Sequence, residues 1–276
     1  MKQILLLLLS ISLVAGCERP KGFTLSKVTS SYGADPRWDV ENDLSPSELA
    51  ALLQGPYTYL GSGNHTYAFM SRDEKTVIKF FKQKHMRVQS LFLSSETKLR
   101  RAKERLESFS SYLLAYEKLR DETGLLYLHL NPTHHLHQTV TLIDQHGKEH
   151  RVNLDEMEFL IQKKATLSFD HLNKLFSEGA YDKAISSICS LLHLVAKRSQ
   201  MGIYDKDLQF YKNFGFIENQ AVEIDIGEFR AGQEVRPTQE ELQELSFQLK
   251  DFIQKSAPEF AAIANFVIDK EIENAQ

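Results

Sequence analysis

The 276-residue chain has only two cysteines, Cys17 and Cys189. With so few, no disulfide framework staples the fold, and stability must come from an apolar core. There is no basic excess either: 33 Lys and Arg stand against 37 Asp and Glu, a net charge of −4. That balance sets nucleic-acid binding aside, because such binding draws on a Lys/Arg-rich face. Internal repeats are absent, and so are low-complexity tracts beyond the N-terminus. The single long apolar run, Ile4 to Ala15, is too short to cross a bilayer as a mature helix. What remains, 42% hydrophobic and 25% charged residues, suits a globular chain with one two-lobed domain or two small ones.

Met1-Lys2-Gln3 puts a basic start before the apolar run, the layout of a secretory signal. The following Val14-Ala15-Gly16-Cys17 resembles the lipobox of bacterial lipoproteins, in which cleavage leaves the cysteine first and its thiol acylated. This resemblance implies a signal peptide over 1–17, lipidation at Cys17, export to the bacterial cell envelope and attachment to a membrane through the lipid. Cys189 lies in an apolar helical stretch and reads as a core residue. Residues 18–55 are polar and carry Gly22, Gly33, Pro20, Pro36 and Pro46, so they read as a tether. It ends in a short helix, started by Ser45-Pro46-Ser47-Glu48 before Leu49, Leu52 and Leu53.

The next block alternates as strands do. Tyr57–Leu60 and Tyr67–Met70 flank Gly61-Ser62-Gly63-Asn64-His65-Thr66, and a polar turn leads into Thr76–Phe81. Glycines between two strands let backbone N–H groups approach a polyphosphate, and Lys79 on the third strand can reach the same phosphates. From Ser94 to Asp121, apolar residues at three- and four-residue intervals among charges predict a long amphipathic helix. Glu104 and Glu107 on it are candidates to hold Lys79 as an ion pair. Strands are expected over 125–130, 138–143, 149–154 and 156–163, then helices over 169–176 and 181–199. His129, His134, His135 and His137 lack the partner motif of a zinc site and read as a solvated loop.

Beyond the second helix come Gly202-Ile203-Tyr204-Asp205-Lys206-Asp207 and, later, Asn213, then Val222-Glu223-Ile224-Asp225-Ile226-Gly227. An acidic residue, an amide and a second acidic residue between short apolar runs can hold a hydroxyl nucleophile and magnesium.

Together these motifs resemble the protein-kinase-like fold. Gly61-Ser62-Gly63 is similar to a partial glycine-rich loop, Lys79 to the third-strand lysine, Asp207 to Asn213 to the catalytic loop and Asp225-Ile226-Gly227 to the Asp-Phe-Gly motif. The resemblance implies an α+β, two-lobed fold: an antiparallel β-sheet plus helix over 56–164 and a small, mainly helical lobe over 165–276. It implies an ATP- and Mg2+-dependent phosphotransferase. Asp207 or Asp205 would orient the acceptor hydroxyl, with Asn213 and Asp225 on metal and Gly61, Gly63 and Lys79 on nucleotide, aided by Glu107 or Glu104. The acceptor would be a protein or a small molecule. A catalytically silent pseudokinase serving as a binding module is the alternative. Asp207 and Asn213 are six apart where the family usually has five, no His-Arg precedes Asp207, and Thr66 stands in the third glycine's place. Only 51 residues follow Asp225, which implies a shortened second lobe.

Overall fold

The computed structural model describes residues 22–88, 93–232 and 238–275. The expected signal peptide, lipobox and Cys17 lie outside the described residues. Twelve strands and eight α-helices are found among those described, in an α+β arrangement.

The sheet half begins with helix α1 (Pro46–Leu52), whose Ser45 and Glu48 form a reciprocal capping box with Pro46 in the first turn. A seven-stranded sheet follows, built from β1 (Pro56–Ser62), β2 (Thr66–Ser71), β3 (Thr76–Phe81), β4 (Leu125–His129), β5 (Thr139–Ile143), β6 (Glu149–Asn153) and β7 (Phe159–Lys163). Its order is β4-β7-β3-β2-β1-β5-β6. All neighbours are antiparallel except β1 and β5, which pair in parallel through Pro56↔Thr141 to Thr58↔Ile143. The sheet is therefore mixed rather than purely antiparallel, because the 138–154 hairpin adds to the far side of β1.

Helix α2 (Ser95–Lys118) crosses one face of the sheet, and the short α3 (Arg120–Thr123) ends at Gly124, whose φ of 64° closes the turn into β4. β3 is buried on both faces, as Val77, Ile78, Phe80 and Phe81 attest. One face packs with Phe69 and Phe159, the other under Phe109 and Tyr112 of α2. Each such aromatic contributes roughly 2 kcal/mol by leaving water.

Residues 22–55 do not form a loose tether. Phe23, Val28 and Trp38 are 3%, 0% and 5% exposed, and the Phe23 ring meets Tyr67 and Phe69 edge-on at 5.5 and 4.9 Å. Pro and Gly spacing suggested a leash, but these apolar side chains pack into the sheet half, which outweighs the cost of ordering the backbone.

The helical half holds β8 (Thr166–Leu167), α4 (Ser168–Ser177), α5 (Tyr181–Gln200), β9 (Ile203–Asp205), α6 (Phe210–Asn213), β10 (Phe214–Ile217), β11 (Gln220–Glu223), β12 (Phe229–Ala231), α7 (Thr238–Ser256) and α8 (Ala261–Asn274). Its core is formed by Ile188, Leu191 and Val195 of α5 against Leu245 and Leu249 of α7 and Ala264 and Ile268 of α8. The antiparallel β9–β12 ribbon sits between the halves, with Ile203, Ile226 and Phe229 sharing the α2 core. Apolar packing thus fixes the segments on either side of Asp207 and Asp225 relative to the sheet.

Candidate functional site

A cavity of about 380 Å³ lies between the sheet and Leu167, Lys212, Ile224 and Asp225. The end of β1 forms its roof, where pairing with β2 slips between Tyr59 and Gly61 and frees the chain from strict register. Gly61, Gly63, Lys79 and Asp225 all line it. A Cβ added at Gly61 or Gly63 would meet nothing within 4 Å, and neither residue has a positive φ. Nothing in the protein's packing requires glycine at these positions; bare backbone here leaves room for something beside the strand.

Lys79 is partly buried, and its ammonium donates to the Ile224 carbonyl at 2.6 Å. Burial pushes its pKa down, and the Asp225 charge pushes it partly back. Lys163, Lys164 and Lys212 also face the cavity, where Asp225 is the carboxylate present. Lys164 pairs with Glu74 at 3.6 Å and Lys212 with Asp207, so Lys79 and Lys163 are the lining cations without such a pairing among the described residues. A larger groove of about 660 Å³ runs between α2 and the β9–β12 ribbon, but Gly61, Lys79 and Asp225 do not line it. Size alone does not mark the site.

Asp207 and Asn213 flank this cavity through the backbone. The Asn213 carbonyl accepts from Ile224 N at 2.7 Å and Asp225 N at 3.4 Å, and the Asn213 amide donates to the Asp207 carbonyl at 2.5 Å. Asn213 Oδ1 is buried and has no hydrogen-bond partner among the described residues. The Asp207 carboxylate accepts from Gln209 at 2.5 Å and pairs with Lys212 at 3.2 Å.

Glu104 and Glu107 do not reach Lys79. Glu104 pairs with Arg100, and Glu107 with Arg230 at 3.1 Å and Lys103 at 3.7 Å. Helical phase explains this: Tyr112 and Phe109, not the glutamates, are the α2 residues buried toward the sheet. Burial pushes the Tyr112 hydroxyl well above its ordinary range, reinforced by the nearby Asp225 and Glu228 charges.

Asp205 lies beneath the site instead of in it. It is 1% exposed and accepts from Asp207 N at 3.1 Å. Burial raises the Asp205 pKa to about 6 and that of Glu223 well above the carboxylate range. Arg198 pairs with Glu223 at 3.0 Å and Glu241 at 3.4 Å, all three buried. The sequence does carry a signal for this cluster. Arg198 continues the apolar stripe Ile188, Leu191, Val195 on α5, where a charge must be buried and therefore paired.

His65 lies in the connection between β1 and β2. Its Nε2 lies 3.1 Å from Glu228 Oε1, and a Cβ at Gly227 would meet its ring at 3.3 Å. Glu228 also pairs with Arg230 at 3.2 Å. The Glu228 hydrogen bond raises the His65 pKa above its ordinary 6.5, against burial. A raised folded pKa means that this contribution is fully present below about pH 6.5 and fades as pH climbs through the raised value. The melting-temperature difference between the wild-type chain and His65→Gln is expected to shrink from pH 6 to pH 9. A difference that stays constant or grows would remove the imidazolium from the contact.

No protein-family model matches the chain, and no curated protein matches it by sequence. Three solved structures of WbdD are similar in part. The bifunctional kinase-methyltransferase WbdD aligns over 76% of this chain and 43% of its own, with 14% identity and a TM-score of 0.36. A second WbdD structure shows 16% identity and a TM-score of 0.35 over 78% and 45% of the two chains. Monomeric WbdD gives 15%, 0.35, 75% and 45%. The chain spans less than half the length of these proteins. A likeness at this level assigns no activity to it.

Proposed function

We propose that this chain is an ATP- and Mg2+-dependent phosphotransferase of the protein-kinase-like type, with residues 56–164 as its N-lobe and residues from 165 onward in its helical C-lobe. The reading rests on one observation: Gly61, Gly63, Lys79 and Asp225, far apart in sequence, line a single cavity. The donor set fits a hard divalent cation, because the Asp225 carboxylate borders the cavity and Asn213 Oδ1 is a buried oxygen without a partner among the described residues. When bound, magnesium neutralises the β- and γ-phosphate oxygens. Lys79 supplies a fixed cation to the phosphates, and its low-dielectric surroundings strengthen that attraction. Asp207 orients the acceptor hydroxyl and takes its proton as the acceptor oxygen bonds to phosphorus and the bond to the departing diphosphate breaks. Lys212, gripping Asp207 and bordering the cavity, fixes that carboxylate. Asp205, buried and accepting from Asp207 N, supports the loop from below and does not touch the acceptor. The acceptor is a hydroxyl on a protein or small molecule.

Melting the purified chain with and without millimolar Mg-ATP tests the reading. A ligand at a hundred times its dissociation constant stabilises the fold by about 2.7 kcal/mol, so a shift of several degrees is expected. No shift at saturating nucleotide would sink both nucleotide binding and transfer. One observation favours a second reading, a catalytically silent kinase-like binding module: among the described residues Lys79 has no carboxylate ion-pair partner and rests on a carbonyl. Nucleotide-dependent stabilisation without phosphate transfer to any acceptor would select it. We further propose that the chain is exported and held in the cell envelope by acylated Cys17.

A further inference from the structure

Among the described residues no hydrogen bond or ion pair reaches the Asp225 carboxylate, although it borders the cavity. A carboxylate that binds a metal is ordinarily fixed by hydrogen bonds of its own, and losing them weakens the metal. Here the fixing runs through the backbone on either side. Before Asp225, the Ile224 carbonyl accepts from Lys79 at 2.6 Å, and Ile224 N and Asp225 N donate to the Asn213 carbonyl. After it, the fully buried Ser111 of α2 spans the turn: its Oγ donates to the Ile226 carbonyl and accepts from Phe229 N at 2.7 Å. One hydroxyl thus closes residues 226–229 onto the helix.

The opposite side of that turn belongs to the β1–β2 connection. His65 Nε2 lies 3.1 Å from Glu228 Oε1, and a Cβ placed on Gly227 would meet the His65 ring at 3.3 Å and the Tyr112 hydroxyl at 3.6 Å. Connection, helix and turn therefore meet at Gly227, where even a methyl group would have to displace a ring. His65 is itself fixed. Its carbonyl accepts from Lys82 N at 2.8 Å, the Lys82 ammonium donates to the Gly63 carbonyl, and Gly63 N donates to the Thr66 carbonyl at 3.1 Å. Gly61 and Gly63, which line the cavity, stand at the start of the same connection. Whatever moves these glycines moves His65, and with it the turn after Asp225.

We propose that His65 and Ser111 are positioning residues that grip the turn after Asp225 from two sides, so that a nucleotide seated beside Gly61 and Gly63 sets the metal-binding carboxylate. The proposal rests on reading the cavity as a Mg-nucleotide site. Neither side chain lines that cavity. His65 acts through Glu228 and Gly227, and Ser111 through the Ile226 carbonyl and the Phe229 N–H. Glu228 is held from its other side by Arg230 at 3.2 Å, which Glu107 of α2 holds in turn at 3.1 Å. The His65–Glu228 contact is thus the link that joins the connection to the helix.

The test compares the whole chain with His65→Ala, His65→Gln and Ser111→Ala. His65 is partly exposed and belongs to none of the three cores, so its truncation leaves the fold standing. In the free protein, hydrogen exchange over residues 224–230 should quicken about tenfold in both alanine variants, the scale of one lost hydrogen bond. With ATP at saturation and Mg2+ titrated in, the melting temperature of His65→Ala should need roughly 10- to 100-fold more metal to rise. The shift given by ATP without metal should stay at the wild-type value. His65→Gln keeps a side-chain donor for Glu228 and should fall between the two. Nucleotide and metal weakened alike in His65→Ala would mark a merely structural role and overturn the proposal. A wild-type shift with Mg-ATP, together with unaltered exchange and metal requirement in His65→Ala, overturns this proposal alone. No shift in the wild-type chain overturns the phosphotransferase reading and this proposal with it.

Discussion

Arg198→Ala is expected to cost 3–5 kcal/mol, roughly 10 °C in melting temperature, and it is the largest stability effect foreseen for a single substitution. Arg198 is 1% exposed and stands among Glu223, Glu241 and the Ile203 carbonyl, with its guanidinium 5.4 Å from the centre of the Phe229 ring. Truncation removes the buried cation beside Glu223 and Glu241, in an interior where burial already raises the Glu223 pKa well above the carboxylate range. A buried ion pair need not stabilise compared with apolar side chains, so the loss comes from breaking it, not from its net worth. Arg198→Met combined with Glu223→Gln and Glu241→Gln should therefore recover most of the deficit. Urea denaturation reads both; an Arg198→Ala loss under about 1 kcal/mol would show that the cluster is not holding the segment around Asp205 in place.

Asp225→Asn should leave the fold close to wild-type stability while lowering phosphate transfer by roughly 10³-fold or more, the scale of one lost electrostatic contact to a developing charge. The side chain is half-buried, at the cavity edge, and packs in none of the three cores. The amide keeps its shape and removes its charge, so Mg2+ should no longer add to the thermal shift given by nucleotide. Retained transfer and retained magnesium dependence in this variant would remove Asp225 from the metal role. The dissociation matters: Arg198 should disturb stability first, Asp225 activity first.

Much of the sheet half was legible because its signals are local. Alternation over 57–60, 67–70 and 76–81 marks β1 to β3, and the three- and four-residue apolar spacing marks α2 within a few residues of its ends. The glycines, Lys79 and Asp225 reach one cavity as their order implied. Three things were not legible. Which face of α2 meets Lys79 depends on helical phase, and the phase turns the aromatics inward. Asp205 and Asp207 look equivalent as neighbours, but Ile203 and Asp205 share the inward face of β9 at a period of two, so Asp205 is buried. The packing of residues 22–55 was hidden because Pro and Gly spacing reads as a leash, whereas the decisive signals, Phe23, Val28 and Trp38, are isolated and find their partners far along the chain.

The parallel pairing of β1 with β5 joins Pro56 to Thr141, 141 − 56 = 85 positions apart. That ladder cannot form until the intervening helix and β4 have been brought back across the sheet, and closing so long a loop is an entropic toll that local hairpins never face. The β1–β2–β3 meander can assemble early, while the strand that carries the glycines gains its second neighbour only late. A folding chain would thus expose the outer rim of β1 longest, and this is the rim to which a chaperone, or a second unfolded copy, would have most time to attach.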